Sequence, residues 1–460
     1  MSVRHAVPQD NPFLTAPVWR LFLSNALPMA VVMSMGGILN VVDGIFVGRF
    51  IGGEALAAVS LAFPAVMLMS ALATLAGGGM SSILARSLGA GNRVAAARVF
   101  AGAHGLVLLI SVVLLLLWAV FGRALLVEMA DGNAQVAEMA WTYLSILIVA
   151  APVQLILGLH ADALRIEGRA GAVATLSVLV NLANIHANWL GIVTFGLGIA
   201  GSALGTVAAQ GLGLALVLAV RARGRGLLPL RLLRQERWVA DWRRIITFGL
   251  PLCLSLLGIA LVASIAMLAL QRHAAEYDRL VAAYGGVTRL LGLAFLPQLA
   301  IALALQGIAG QNSGAGRDDR ALAALRLAMA AAFLWCVVVA LTGLFAGPVV
   351  ADWFSRDPLV AFAIVSMLRP MLALYVFAGP ILVLAMYFQA LGQPGRTAAL
   401  TLVKPWILMP VMIVGLSAVF GVQGIWLAFP MADGVVLLIA LVIGRGILLT
   451  GNTSDMENAA

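Results

Sequence analysis

A single carboxylate, Asp43, lies inside a long apolar run of this 460-residue chain, with Asn40 three positions earlier on the same helical face. A later apolar run carries Asn181, Asn184 and Asn188, spaced i, i+3 and i+7 as one polar stripe. Thr206 sits in the run after that. Amide carbonyls, a hydroxyl and one carboxylate are a donor set for a proton or a small cation. Interhelical hydrogen bonding alone accounts for Asn and Thr in such runs. It does not account for the Asp, because a carboxylate at a helix centre in hydrocarbon costs roughly 2.5–3.5 kcal/mol. A dry pocket favours the neutral carboxyl, while water or a cationic substrate favours the charged one. Proton and substrate then compete for one site, and that competition is coupling.

Nearly all of the 19 acidic residues fall in polar joints or tails; Asp43, Asp162 and Asp433 are the exceptions. Asp162 stands three residues before Arg165 and reads as a structural ion pair. Asp433 reads either as a second titrating group or as a partner of Lys404 or Arg369. Arg289 and Gln298 share one apolar run, and Arg289 has Glu276 or Asp278 within reach as an alternative partner. Together Asp433, Lys404, Arg289 and Gln298 form a candidate second titrating or substrate site. His104, His160 and His186 are scattered and read as packed residues. Pro28 precedes Asp43 in the same run and deletes a backbone hydrogen bond, and Gly36-Gly37 adds a second soft point. These three are either a bending device or the shape of a static bend.

Composition says what must position these groups. The chain is 63% hydrophobic and 10% charged, with mean hydropathy +1.06. A soluble domain is about 45–50% apolar and about 25% charged, so this chain cannot cover a water-soluble surface. Spans of roughly 20 residues are needed to cross a bilayer. Twelve long apolar segments are present: 17–47, 54–84, 95–121, 136–162, 170–195, 199–221, 244–271, 280–309, 320–346, 358–388, 397–419 and 423–446. They are too long, and alternate too little, for membrane strands. The expected fold is an all-α membrane protein.

The joints after the even-numbered spans hold Arg86, Arg93, Arg165, Arg169, the cluster from Arg221 to Arg244, Arg317, Arg320 and Arg396. The opposite joints hold little more than Arg49, Arg123, Arg272, Arg279 and Arg356. By the positive-inside rule both termini are cytoplasmic, in a bacterial-type inner membrane. The net charge of +9 then reports topology, not nucleic-acid binding. Cys253 and Cys336 give neither a disulfide framework nor a metal cluster. With no catalytic dyad, metal cluster or phosphate loop, the chain does not read as an enzyme.

The halves repeat. Leu56-Ala57-Ala58 lines up with Val281-Ala282-Ala283, and Gly89-Ala90-Gly91 with Gly314-Ala315-Gly316. Gly168-Arg169 lines up with Gly395-Arg396, and Gly198 and Gly201 with Gly421 and Gly424. Six spans per half means both halves insert the same way up, related by a pseudo-two-fold axis along the membrane normal. The organisation is a tail (1–16), an N-lobe (17–221), a basic cytoplasmic linker (222–243), a C-lobe (244–446) and a second tail (447–460). One chain suffices, so a monomer is expected.

These residues resemble the multidrug and toxic compound extrusion (MATE) family, in its DinF-like branch. The resemblance rests on Asn40-Val-Val-Asp43-Gly-Ile-Phe-Val-Gly48, on Leu56-Ala-Ala-Val-Ser-Leu-Ala-Phe-Pro64 and on the Gly89-Ala-Gly-Asn92 joint. Gly310-Gln-Asn-Ser-Gly-Ala-Gly316 and Gly196-Leu-Gly-Ile-Ala-Gly201-Ser-Ala-Leu-Gly-Thr206 also carry it. It implies twelve helices in two lobes, and alternating-access export of small amphipathic, often cationic, organic compounds in exchange for protons or sodium. No cofactor is implied. In the DinF-like pattern an Asn and an Asp of helix one, an Asn and an Asp of helix five, and a Thr of helix six form the cation site. Asn40, Asp43, Asn184 and Thr206 match. Asn188 stands where that pattern commonly has Asp, which favours a proton, although Asp43, Asn184 and Thr206 remain a possible sodium set. Pro28 matches the family's helix-one proline. The alternative cargo is a lipid-linked precursor or another anion moved by a flippase of the same superfamily, which wants a basic cavity.

Overall fold

The computed structural model describes residues 11–224, 226–273, 276–352 and 357–450; side chains at 40, 41, 350, 352 and 446–450 fall outside it. The outer parts of both expected tails, and the Asn40 side chain, therefore lie outside the described residues. Among the described residues ten helices are each long and apolar enough to cross a membrane, and two bent helix pairs make twelve. In order these are α1 (Val18–Phe50), α2 (Gly53–Gly89), α3 (Arg93–Met129), α4 (Ala134–Val149 and Ala151–Ile166), α5 (Ala170–Thr194) and α6 (Gly198–Ala222). Then come α7 (Trp242–His273), α8 (Tyr277–Gly314), α9 (Asp318–Phe345), α10 (Pro358–Met371 and Tyr375–Ala390), α11 (Pro394–Phe420) and α12 (Val422–Arg445). No strand occurs among the described residues.

Local chemistry sets the helix ends. Asn92, Asn133 and Asp357 accept the backbone N–H of Ala95, Val136 and Leu359, capping α3, α4 and α10 at 2.9, 3.1 and 2.9 Å. The internal repeat appears in the backbone. Gly91 and Gly316 take φ of 72° and 70°, and Gly198 and Gly421 take 56° and 57°. Both pairs are left-handed positions that glycine adopts without strain. The left-handed Gly168 (84°) recurs at Gly392 (85°), not at Gly395. Gly395 lies in the first turn of α11, so that part of the repeat is three residues out of the register read from the Gly-Arg pairs. The two bent pairs are α4, by 50° beside Pro152, and α10, by 60° beside Pro370. They are the same span in each half.

Contacts divide the chain inside α1 and α7, not at 17 and 244: one unit is Leu27–Cys253, the other runs up to Ala26 and from Leu254 onward. The breaks fall next to Pro28 in α1 and close to Pro251 in α7.

In the first unit the linker and the start of α7 lie directly on helix backbone. A Cβ at Gly79 or Gly249 would meet the carbonyl of Ile245 or Leu75, and one at Gly102 or Gly105 the carbonyl of Ala240 or Trp238. Such approaches are what small residues permit in membrane helix packing. Trp242 Nε1 also donates to the Gly102 carbonyl at 2.8 Å.

In the second unit residues 11–16 are strapped down. Arg317 donates to the Leu14 carbonyl at 2.6 Å, Arg320 to the Ala16 carbonyl at 2.6 Å, and Asn312 to the Phe13 carbonyl at 3.1 Å. Phe13 and Leu14 are buried. The remaining core of this unit packs α7, α8, α10, α11 and α12 through residues such as Leu270, Val287, Met367, Ile413 and Trp426.

Candidate functional site: a hydrogen-bonded carboxylate in the first unit

The polar stripe of α5 faces inward, with Asn181, Asn184 and Asn188 all buried. Gly191 and Gly201 hold α5 and α6 together, since a Cβ on either would meet the other's backbone within 3 Å. That crossing brings Asn188 against Gly205 and lets the stripe bond across helices. Asn188 Nδ2 donates to Asp43 Oδ1 at 2.8 Å and to Asn184 Oδ1 at 3.2 Å. Asn184 Nδ2 donates to Thr206 Oγ1 at 3.0 Å, and Thr206 donates to the Ser202 carbonyl at 3.1 Å. The chain branches from Asn188: it spends both N–H groups, one toward Asp43 and one through Asn184 and Thr206 to the Ser202 carbonyl. In a low dielectric such bonds reinforce one another.

Two polar atoms of the stripe are left over. Asn188 Oδ1 is buried without a hydrogen-bond partner and lies against Gly205, where a Cβ would collide with it. The Asn181 Nδ2 is likewise without one. Asp43 itself is half-buried.

A hard cation wants oxygen ligands. As bonded here, the Asn188 N–H covers one Asp43 oxygen and the Asn188 carbonyl faces away from it. No cluster of three His, Cys, Asp or Glu side chains occurs among the described residues.

The residues offered for a second site divide. Lys404 of α11 and Asp433 of α12 form an ion pair, with side-chain exposures of 31% and 8%. Gln298 of α8 donates to the Tyr375 hydroxyl of α10 at 2.6 Å. Arg289 is exposed and makes none of the described ion pairs, while Glu276 takes Arg279 instead. Asp162 and Arg165 pair at 3.1 Å, with Arg165 also donating to Ser81 at 3.2 Å. The helix-one elements Pro28, Gly36 and Gly37 all lie within one continuous helix. That helix is loosely held: 6% of its most apolar window is buried, against 22–44% for the other unbroken spans.

Two groupings were not visible in the sequence. His104 and His160 are not scattered: their Nε2 atoms lie 3.4 Å apart, and His104 Nδ1 is 2.7 Å from the Phe100 carbonyl. Arg221 does not hang in the linker. Its side chain is fully buried, donating to Glu167 at 2.8 Å and to the Leu228 carbonyl at 2.7 Å, with its guanidinium over the Phe100 ring.

Twelve membrane helices in two like halves, with hydrogen-bonded carboxylates inside the spans, define a secondary-transporter type of membrane protein. The MatE family model matches residues 28–190 and again 251–414. The two matches start at the two prolines, Pro28 and Pro251, and restate the internal repeat. This chain belongs to the MATE family of multidrug transporters, so it is a multi-pass transporter of small organic compounds and not an enzyme. It is similar to the FAD transporter of Shewanella oneidensis, at 28% identity over 91% of this chain and 93% of that one. It is also similar to the probable multidrug resistance protein YoeA of Bacillus subtilis, at 25% identity over 92% of each. Among solved structures, an outward-facing multidrug resistance MATE family transporter of the MOP superfamily shares the fold. There the TM-score is 0.85 at 24% identity, covering 96% of this chain and 98% of that one.

Proposed function

We propose that this chain exports organic compounds across a bacterial-type inner membrane by alternating access, driven by protons that bind and leave Asp43, with both termini cytoplasmic. The observation that carries the reading is the hydrogen bond from Asn188 of α5 to Asp43 of α1. The ionised carboxylate accepts that N–H, a charge-assisted bond of the stronger kind. A protonated carboxyl is also a donor, and the unpartnered Asn188 carbonyl is an acceptor without a donor. Turning the Asn188 amide about its last torsion brings that carbonyl to Asp43, and because the same Nδ2 also bonds the Asn184 carbonyl, the Asn184 amide turns with it. Proton arrival thus exchanges one hydrogen-bond pattern for another across α1 and α5. The weak burial of α1 lets that exchange move the helix. The cargo is amphipathic and often cationic; flavin compounds stand beside drugs, because a relative of matching length is named a FAD transporter.

Everted vesicles test this, with ethidium and riboflavin efflux followed under separate proton and sodium gradients. Export under the proton gradient alone is expected. Export that follows only sodium rejects the coupling, and none of either probe rejects export.

A further inference from the structure

The second unit carries a polar cluster that the Asp43 reading does not use. Its members come from four helices: Gln298 of α8, Tyr375 of α10, Lys404 of α11 and Asp433 of α12. Each helix is irregular there. Pro297 precedes Gln298, and the 60° break of α10 ends at Tyr375. Lys404 opens a π-turn, Lys404–Leu408, that contains Pro405, and Pro430 lies one turn before Asp433. A Cβ at Gly434 would rest 3.5 Å from Leu374, so the Asp433 turn lies against the break in α10. Irregular backbone at membrane depth is tolerated only where protein buries it or water reaches it. Single π-turns recur at functional sites.

The charges say which. Lys404 is about a third exposed near the middle of a span, and an ammonium facing hydrocarbon is costly, so its open side faces water. Asp433 is nearly buried and accepts from Lys404. An ammonium has three donors, and this carboxylate occupies one. Because Gln298 donates to the Tyr375 oxygen, the Tyr375 proton is not spent on that bond. The cluster therefore offers two donors, the remaining N–H groups of Lys404 and the Tyr375 hydroxyl, and one acid that restrains the cation. We propose that Lys404 and Tyr375, braced by Gln298 and by the Lys404–Asp433 pair, form a subsite for the oxyanion of an organic substrate, a phosphate or a carboxylate. The proposal deepens the export reading and rests on it.

The substrate oxyanion takes the Lys404 N–H groups that Asp433 leaves unused, and the carboxylate limits how far the ammonium is free to meet it.

The test uses the full chain in lipid nanodiscs and two probe pairs, each an anion with its uncharged parent. Flavin mononucleotide against riboflavin reads phosphate, and pyrenebutyrate against pyrenebutanol reads carboxylate. At least one anion is expected to bind about tenfold more tightly than its parent. Lys404→Gln should erase that preference. Asp433→Asn, which removes the competing carboxylate charge, should keep or strengthen it, and Tyr375→Phe should weaken it a few-fold. Anions that bind no better than their parents, or a preference that survives in Lys404→Gln, overturn the subsite. Ethidium efflux from vesicles reads the export proposal separately. Efflux without anion preference sinks the subsite alone; Lys404-dependent anion binding without efflux of any probe sinks the export reading and leaves the subsite standing.

Discussion

Asn188 of α5 donates a 2.8 Å hydrogen bond to Asp43 of α1, joining residues 145 positions apart. The bond ties the most loosely packed span to a buried polar stripe. Removing the titrating group while keeping the shape is the direct test. Asp43→Asn should abolish proton-driven efflux, down to the level of vesicles without the protein, while membrane expression is unchanged. Normal proton-dependent efflux in that variant rejects Asp43 as the coupling acid.

Asn188→Asp sets a second carboxylate at hydrogen-bond distance from the first. Two adjacent carboxylates cannot both ionise cheaply without a cation or a proton. This variant should acquire efflux that responds to a sodium gradient. Ion dependence identical to the parent chain counts against α5 as part of a cation site.

Gly205→Ala drives a methyl group into the Asn188 carbonyl and the backbone beside it. Overpacking of this kind costs about 1–3 kcal/mol. The control is Gly211→Ala on the same helix, whose Cβ would meet nothing within 4 Å. It should be neutral or stabilise slightly, since Ala is the better helix former. Thermal unfolding in detergent compares them. Efflux of Gly205→Ala, measured below its transition, should also be slowed, because the amide has lost its turning room. Equal melting of the two variants would contradict the close contact.

Arg221→Met leaves Glu167 buried at 1% exposure without its partner. Breaking one side of a buried pair costs about 3–5 kcal/mol. The double variant Arg221→Met, Glu167→Leu should recover most of that loss. Failure to recover shows that the Leu228 carbonyl contact, not the ion pair, is what Arg221 supplies.

The twelve spans were legible because apolar length is a property of composition, and the membrane demands it of every crossing. The α5 stripe was legible because helical periodicity puts Asn181, Asn184 and Asn188 on one face, and an acid in hydrocarbon needs a reason. What stayed hidden depends on which helices touch. His104 and His160 meet only because α3 packs on α4, and spacing along the chain carries no record of that. Arg221 looked like one member of a basic cluster, since a linker arginine and a buried one have the same neighbours in sequence. Tyr375 had no signal beyond its position near Pro370, yet the α10 break puts it on Gln298. The three-residue slip between Gly395 and Gly392 arose because two glycines flank the same joint and only one of them turns left-handed.

The strap of residues 11–16 bears on how the protein is handled. Arg317, Arg320 and Asn312 hold the carbonyls of Leu14, Ala16 and Phe13. A chain trimmed to begin at α1 would take those acceptors away from all three side chains and uncover the surface beneath Phe13 and Leu14. Reporter fusions placed ahead of Asn11 therefore need a spacer that lets this segment reach its seat.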